Sequence, residues 1–282
     1  MIVVTGATGQ LGQLVIKALL KKVPAASIVA AVRNVEKAKD LAALGVQVRH
    51  ADYSQPATWD AALKGVDKVL LISSSEIGQR SKQHKAVIDA AKRAGVKLLA
   101  YTSVLRADTS VLGLAGEHRE TEADIRASGV PFVFLRNGWY TENYTAGVPT
   151  ALSLGAVYGC AGDGRIASAT RADYAEAAAV ALTADNQAGK TYELAGDVAF
   201  TLTEFAAELS RQSGKAIGYV NLPEAEYKKA LLGAGLPEFL AELLANSDTG
   251  VSKGALFDEG HQLSKLIGRA TTPLATAVKA AL

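Results

Sequence analysis

Short apolar runs alternate with amphipathic stretches from the first residue of the chain. Ile2-Thr5, Ser27-Val32, Val46-Asp52, Lys68-Ser73, Lys97-Thr102 and Pro131-Arg136 read as strands. Between them, Leu11-Lys22 carries Leu11, Leu14, Val15, Ala18 and Leu19 at helical spacing. Glu36-Leu44, Pro56-Leu63, Gln83-Ala94 and Glu117-Ser128 continue the alternation as helices. Gly45 suits a left-handed helix cap, and Gly65, Gly95 and Gly129 follow their helices. The strands are apolar on both faces and each is followed by a crossover helix. That pattern predicts an α/β fold: a doubly wound parallel sheet with helices on both sides.

Past Arg136 the pattern loosens. Val157-Gly159 and Thr191-Ala195 read as short strands, with a helix over Ala172-Thr183 between them. Thr201-Ser213 is a further helix that Thr201 or Thr203 can cap. Ile217-Val220 reads as a strand, and Glu224-Gly233 and Glu238-Asn246 as helices. The expected division is a sheet domain over residues 1-150, to which 164-200 returns, and a smaller C-terminal α/β lobe from 151-163 and 201-282.

Composition narrows the partners. The chain has 282 residues, 49% of them apolar, with a net charge of +2 and the two signs interspersed. No basic field suggests nucleic acid or an anionic membrane. No apolar run approaches the roughly 20 residues that span a bilayer. Cys160 is the single cysteine, so no disulfide forms within the chain. The opening Met1-Gly9 has no basic region or cleavage site of a secretory signal. A cytoplasmic protein, monomeric or homodimeric, is expected. The four histidines are too far apart to suggest a zinc site.

The first strand runs into Thr5-Gly6-Ala7-Thr8-Gly9-Gln10-Leu11-Gly12, a G-x-x-G-x-x-G between a strand and a helix. The chain must turn at Gly6, admit a pyrophosphate near Gly9, and pack helix on strand at Gly12. The exposed N–H groups and the helix dipole then hold the anion. A dinucleotide site of Rossmann type follows, with Gly6, Ala7, Thr8, Gly9, Gln10 and Leu11 as its phosphate residues. The acid that usually takes the ribose diol of NAD is missing from Ala30-Asn34. Arg33 stands there instead, 21 residues beyond Gly12, and suits a 2′-phosphate by charge and geometry. The cofactor is expected to be NADPH. Ser73, Ser74 and Ser75 follow the fourth strand, at the edge where open α/β sheets bind ligands. Asp52-Tyr53 either lies beside the adenine or forms a turn.

These residues carry a resemblance. The opening TGATGQLG, Val32-Arg33-Asn34, Asp52-Tyr53, Leu135-Arg136-Asn137-Gly138-Trp139-Tyr140 and Glu142-Asn143-Tyr144 are similar to the NmrA-like branch of the atypical short-chain dehydrogenase/reductases. So are His118-Glu122, Ala127-Pro131, Gly162-Asp163-Gly164 and Ala169-Ala175, so that the likeness covers essentially the whole chain. Within that branch the chain looks most like the bacterial NADPH:quinone oxidoreductases, with the dye-reducing triphenylmethane reductases next. The resemblance implies a Rossmann-type domain with a smaller substrate lobe, and hydride transfer from NADPH to a quinone without flavin or metal. It also implies that Asn137, Gly138, Trp139, Tyr140, Thr141, Glu142 and Arg171 line the nicotinamide side. Tyr140, Asn143 and Tyr144 offer flat rings and polar tips to a quinone, and core packing is their plainer role.

The chain departs from a typical short-chain dehydrogenase in lacking Tyr-x-x-x-Lys. Leu114 falls at the tyrosine position and His118 at the lysine position. Reducing a ketone creates a strongly basic alkoxide that needs an acid nearby. Reducing a quinone gives a far weaker base, and proximity to NADPH can suffice. The missing pair therefore argues against alcohol dehydrogenase chemistry and permits quinone reduction, with His118 as a candidate donor. It also suits the NADP-binding regulators of the same family, which act through protein partners. Another planar electrophile, such as a cationic dye, is a third substrate class.

Overall fold

The computed structural model describes all residues from Met1 to Leu282, which divide into two compact units. The first comprises Met1–Ala107, Gly116–Asn137 and Arg171–Glu193; the second comprises Asp108–Ala115, Gly138–Thr170 and Leu194–Leu282.

The first unit is built on strands β1 (Ile2–Val4), β2 (Ile28–Val32), β3 (Gln47–His50), β4 (Lys68–Leu71), β5 (Leu98–Val104) and β6 (Phe132–Asn137). With β7 (Ala156–Gly159) set apart, β8 (Thr191–Leu194) completes a seven-stranded sheet in the order β3-β2-β1-β4-β5-β6-β8. The pairs from β3 through β6 are parallel. The chain winds outward from β1 to β3, then returns beside β1 at β4. Such a reversal of strand order opens the crevice where α/β sheets bind ligands.

Helices α1 (Gln10–Leu19), α2 (Lys39–Ala43), α3 (Ala57–Ala62), α4 (Arg80–Arg93) and α5 (Ala115–Ser128) follow the strands in turn. One sheet face, with Val3, Val29, Val69, Leu99, Tyr101 and Phe134, buries Trp59, Val87, Ile88, Ala91 and Ile125 from the helices. The helix read over Glu36-Leu44 is in fact a 3-10 turn, Val35–Ala38, followed by the short α2. Asn34 accepts the Glu36 N–H at 2.9 Å and so starts the turn early. Nor is every strand apolar: β3, at the sheet edge, reads Gln-Val-Arg-His and is half-buried.

Helices α6 (Glu142–Thr145) and α7 (Val148–Leu154) belong to the second unit, and α8 (Arg171–Thr183) to the first, where it packs on α1. The second unit continues with α9 (Leu202–Ser213), β9 (Gly218–Asn221), α10 (Glu224–Gly233), α11 (Glu238–Ser252), α12 (Gln262–Ile267) and α13 (Leu274–Ala281). Strands β7 and β9 pair in parallel. Thr201 caps α9 through a reciprocal pair of bonds with Glu204. Four of these helices, α6, α7, α12 and α13, are short and were not legible as elements. Helix α11 runs six residues beyond Asn246, where the sequence reading stopped. No helix is long and apolar enough to cross a membrane.

Candidate active site

The phosphate loop has the geometry its glycines imply. Gly6 adopts φ +56, where a side chain is strained. A Cβ on Gly12 would sit 2.4 Å from the Gly6 carbonyl oxygen and 2.8 Å from Ala7 Cα, both backbone. Gly9 caps α1 without a side-chain bond, and no acid stands in the first helical turn. The leading N–H groups are thus left to an anion, the arrangement that a pyrophosphate fits.

Behind the loop, Tyr53 braces the switch point. Its hydroxyl lies 2.7 Å from Thr5 Oγ1 and 2.9 Å from the Ile72 carbonyl, while the Ile72 N–H donates to Thr5 Oγ1 at 2.9 Å. The ends of β1 and β4 are thereby tied together, and the Tyr53 ring stacks on Trp59 at 5.4 Å. Asp52 is the turn former of the two: its Oδ1 accepts both the N–H and the hydroxyl of Ser54.

Arg33 follows β2 directly. Its side chain is 73% exposed, and its closest acid, Glu76, lies 3.7 Å away. So long and exposed a pair binds weakly, and the guanidinium stays available to a phosphate.

Of the three serines after β4, Ser75 is exposed. Ser73 donates its N–H to Thr102 Oγ1 at 2.8 Å and leaves its hydroxyl buried without a partner. Ser74 points into α4: its N–H reaches His84, its hydroxyl Gln83, and its carbonyl accepts from Arg80 Nε at 2.6 Å. Asn137, at the end of β6, also keeps a buried Oδ1 with no partner. These two orphaned polar atoms at strand ends are what a polar cofactor would satisfy.

His118 sits on the first turns of α5, with Leu114 just before the helix. It is buried beside a second imidazole, His84, whose tautomer follows from proton accounting. The Ser74 N–H donates to His84 Nε2 at 2.9 Å, so the His84 proton is on Nδ1, 2.9 Å from Thr121 Oγ1. The Thr121 hydroxyl donates onward to the Glu117 carbonyl at 2.8 Å. Tyr101 Oη lies 2.7 Å from His118 Nδ1. Tyr101 is fully buried, and a phenol that donates to that nitrogen puts the His118 proton on Nε2, which has no acceptor in the chain. Burial, with Arg80 nearby, pushes each imidazole down to about 3. Both rings are neutral, and burial also raises the Tyr101 phenol above its ordinary value.

Beneath this network, Arg136 makes a bidentate pair with Glu122 at 2.9 and 2.6 Å and reaches Glu193 at 2.9 Å; the Glu122 and Arg136 side chains are about 5% exposed. Arg171 opens α8 in the same unit.

The remaining candidates belong to the second unit. Gly138 donates to the Leu194 carbonyl at 2.7 Å, and Trp139 accepts from the Ala169 N–H at 3.1 Å. Tyr140 bridges to Ala169, and Thr141 pairs its hydroxyl with Ser168 at 2.9 Å. The segment is thus held along residues 168–169 as a rigid edge. Glu142 begins α6, Asn143 is exposed, and Tyr144 packs edge-on against Phe200 at 5.9 Å.

Sequence reading passed over one group in this unit. Asp248 lies on α11, on the buried stripe Ala241, Ala245, Asp248, and its Oδ2 accepts the Cys160 N–H at 3.0 Å. A carboxyl at i+7 of an apolar stripe was the available signal. Cys160 is a packed thiol whose sulfur reaches the Ala245 carbonyl at 3.3 Å, and burial pushes it up to about 11. No group of three His, Cys, Asp or Glu side chains is placed to hold a metal ion.

Comparison with known proteins agrees with this geometry. The family model described as "NmrA-like family" matches residues 1–276. Quinone oxidoreductase 2 of Escherichia coli is 60% identical over 278 residues, covering 99% of this chain and 97% of that protein. The crystal structure of an NADPH-dependent quinone oxidoreductase from Escherichia coli, complexed with NADPH, superposes with a TM-score of 0.98 over 99% of both chains. The Citrobacter sp. triphenylmethane reductase complexed with NADP(H) superposes with a TM-score of 0.97 at 44% identity over the full length of both chains. The chain belongs to the NmrA-like family.

Proposed function

We propose that this protein is an NADPH-dependent quinone oxidoreductase that works in the cytoplasm on a small-molecule quinone. The observation that carries the reading is its 60% identity, over 99% of its length, to quinone oxidoreductase 2 of Escherichia coli. When bound, NADPH supplies a hydride that passes directly to the quinone, with no flavin or metal between them. The first unit binds the cofactor and the second the substrate.

The chain's own residues have distinct tasks. The N–H groups of the Gly6 to Leu11 loop other than that of Gly9, which donates to the Gly6 carbonyl at 2.9 Å, and the dipole of α1 take the pyrophosphate. Arg33 takes the 2′-phosphate and thereby selects NADPH over NADH. Ser73, Asn137 and Arg171 complete the polar wall on the nicotinamide side, and the family resemblance gives Gly138 to Glu142 a part in cofactor binding as well. Ser74 acts through its backbone, because α4 has claimed its side chain. Tyr140, Asn143 and Tyr144 receive the quinone.

His118 serves as a neutral hydrogen-bond donor through Nε2–H. It is not a proton source, since giving up that proton would leave an imidazolate. Tyr101 fixes the tautomer, much as a carboxylate or carbonyl does in other buried histidine pairs. The Tyr101–His118 pair thus positions, and does not perform, acid catalysis.

The test is loss of NADPH absorbance with a panel of benzoquinones and naphthoquinones, repeated with NADH. Rapid quinone-dependent oxidation, slower with NADH, is expected. Tight NADPH binding without turnover on any acceptor would overturn the reading in favour of a non-catalytic NADP-binding protein.

A further inference from the structure

Two opposite charges of the first unit face each other across the mouth of the dinucleotide site. Strands β2 and β4 flank β1 on either side, and all three run parallel. Arg33 follows the last residue of β2, and Glu76 lies in the loop beyond β4. Their side chains meet at 3.7 Å, Arg33 Nη1 to Glu76 Oε1. The pair therefore spans the carboxyl end of β1, the strand that runs into the phosphate loop.

Glu76 is the fixed member of the pair. Its Oε2 accepts from Gln83 Nε2 at 2.6 Å, and Gln83 is buried on α4. Gln83 Oε1 in turn accepts the Ser74 hydroxyl at 2.5 Å, and the oxygen of that hydroxyl takes the Glu76 N–H at 3.2 Å. The loop is pinned a second time where Glu117 accepts the N–H groups of Gly78 and Arg80. Oε1 is left to face Arg33, on a carboxylate that is 54% exposed. Asp52, the other acid that feels the charge of Arg33, is engaged by Ser54 instead.

We propose that Glu76 is a specificity-determining residue of the cofactor site, one that limits the hold on NADPH and NADP⁺. This role rests on the reading of Arg33 as the 2′-phosphate residue. Glu76 serves as the counterion of Arg33 until a 2′-phosphate, with close to two negative charges and oxygens matched to the guanidinium, takes Arg33 over. Held by Gln83, Glu76 then stays in place as a like charge beside the phosphate. Physiological salt screens charges over roughly 8 Å, and a phosphate on the same guanidinium falls near that range. NADH brings no 2′-phosphate and meets no such opposition. The acid thus tempers the preference that Arg33 creates, and it helps NADP⁺, the product that carries the same phosphate, to leave.

The experiment is calorimetric titration of NADPH, NADP⁺ and NADH into wild type, Glu76→Gln and Glu76→Asp, at about 50 mM and about 500 mM salt. Glu76→Gln keeps an acceptor for Gln83. It is expected to bind NADPH and NADP⁺ about fivefold more tightly at the lower salt, and NADH within about twofold of wild type. The gain should shrink at the higher salt, which a merely structural effect would not do. Glu76→Asp keeps the charge and should stay near wild type, and Glu76→Ser takes the place of the Gln variant if that one does not fold. On an Arg33→Ala background the same change should gain less than about twofold, because no ion pair is left to release. Unchanged NADPH affinity in Glu76→Gln, or an equal gain for NADH, would overturn the role of Glu76 and leave that of Arg33 intact. Arg33→Ala protein that keeps its full preference for NADPH would overturn the Arg33 reading, and the role of Glu76 with it.

Discussion

The two units bury polar groups in opposite ways. Under the sheet of the first, charges meet charges and imidazoles meet hydroxyls: Arg136 is held by Glu122 and Glu193, His84 lies between Ser74 and Thr121, and His118 takes Tyr101. The second encloses one carboxyl, Asp248, with a single backbone donor. The first arrangement is a fixed platform, because its charges and rings hold one another in a single connected network that leaves Ser73 Oγ and Asn137 Oδ1 unpaired. The second is costly to ionise, because burial raises the carboxyl to about 6.

Breaking the platform should cost most. Glu122→Gln leaves the buried Arg136 guanidinium short of a charge, and a loss of about 3 to 5 kcal/mol is expected by urea denaturation. A loss below about 1 kcal/mol would show that Glu193 alone neutralises Arg136, and that the platform is looser than described.

The opposite sign is expected in the second unit. The Asp248 pKa is raised in the fold, so its contribution to stability is fully present below the unfolded value near 3.8 and is lost as pH rises through about 6. At pH 8 the ionised wild type bears a penalty of up to roughly 3 kcal/mol that Asp248→Asn does not. The variant should be the more stable protein at pH 8, with the advantage shrinking toward pH 4. Thermal unfolding at the two pH values checks this, and a variant less stable at pH 8 would show a structural carboxylate.

Smaller effects sharpen the comparison. Arg33→Ala should weaken NADPH about 10- to 30-fold, which is 1.4 to 2 kcal/mol, and leave NADH nearly unchanged. Titration of each nucleotide decides it, and equal losses for both would return Arg33 to the solvated surface. Tyr101→Phe should cost only about 1 kcal/mol. It should, however, release the His118 tautomer, seen as ring ¹⁵N shifts moving from a single Nε2–H form toward a mixture. Unmoved shifts would remove Tyr101 as the residue that sets it.

The same contrast explains what the sequence disclosed. The phosphate loop was legible because its requirements are local: a turn, an anion and a close helix–strand approach fall within residues 5 to 12. Arg33 was legible by its distance from that loop. The seat of Asp248 was not, since Gly159 and Cys160 meet Asp248 only through tertiary packing. Helix α11 was read as ending at Asn246 because Ser247-Asp248-Thr249-Gly250 are poor helix formers. The helix continues because packing overrides propensity: Gly250 lies so close to Leu112 that a Cβ would sit 2.5 Å from its Cδ2. His118 stands between these cases. Its place in the lost Tyr-x-x-x-Lys pattern was visible, but its neutrality follows from burial and from Tyr101, seventeen residues away on β5.

The central claim is direct hydride transfer from NADPH to a quinone. The most direct test is single-turnover oxidation of NADPH deuterated at the transferred C4 position, by protein whose absorbance spectrum is free of flavin. The account predicts a primary isotope effect on a single phase, with one hydroquinone formed per NADPH and deuterium absent from any flavin intermediate. Turnover that needs added flavin, or NADPH that binds and is never oxidised by any quinone, would contradict it.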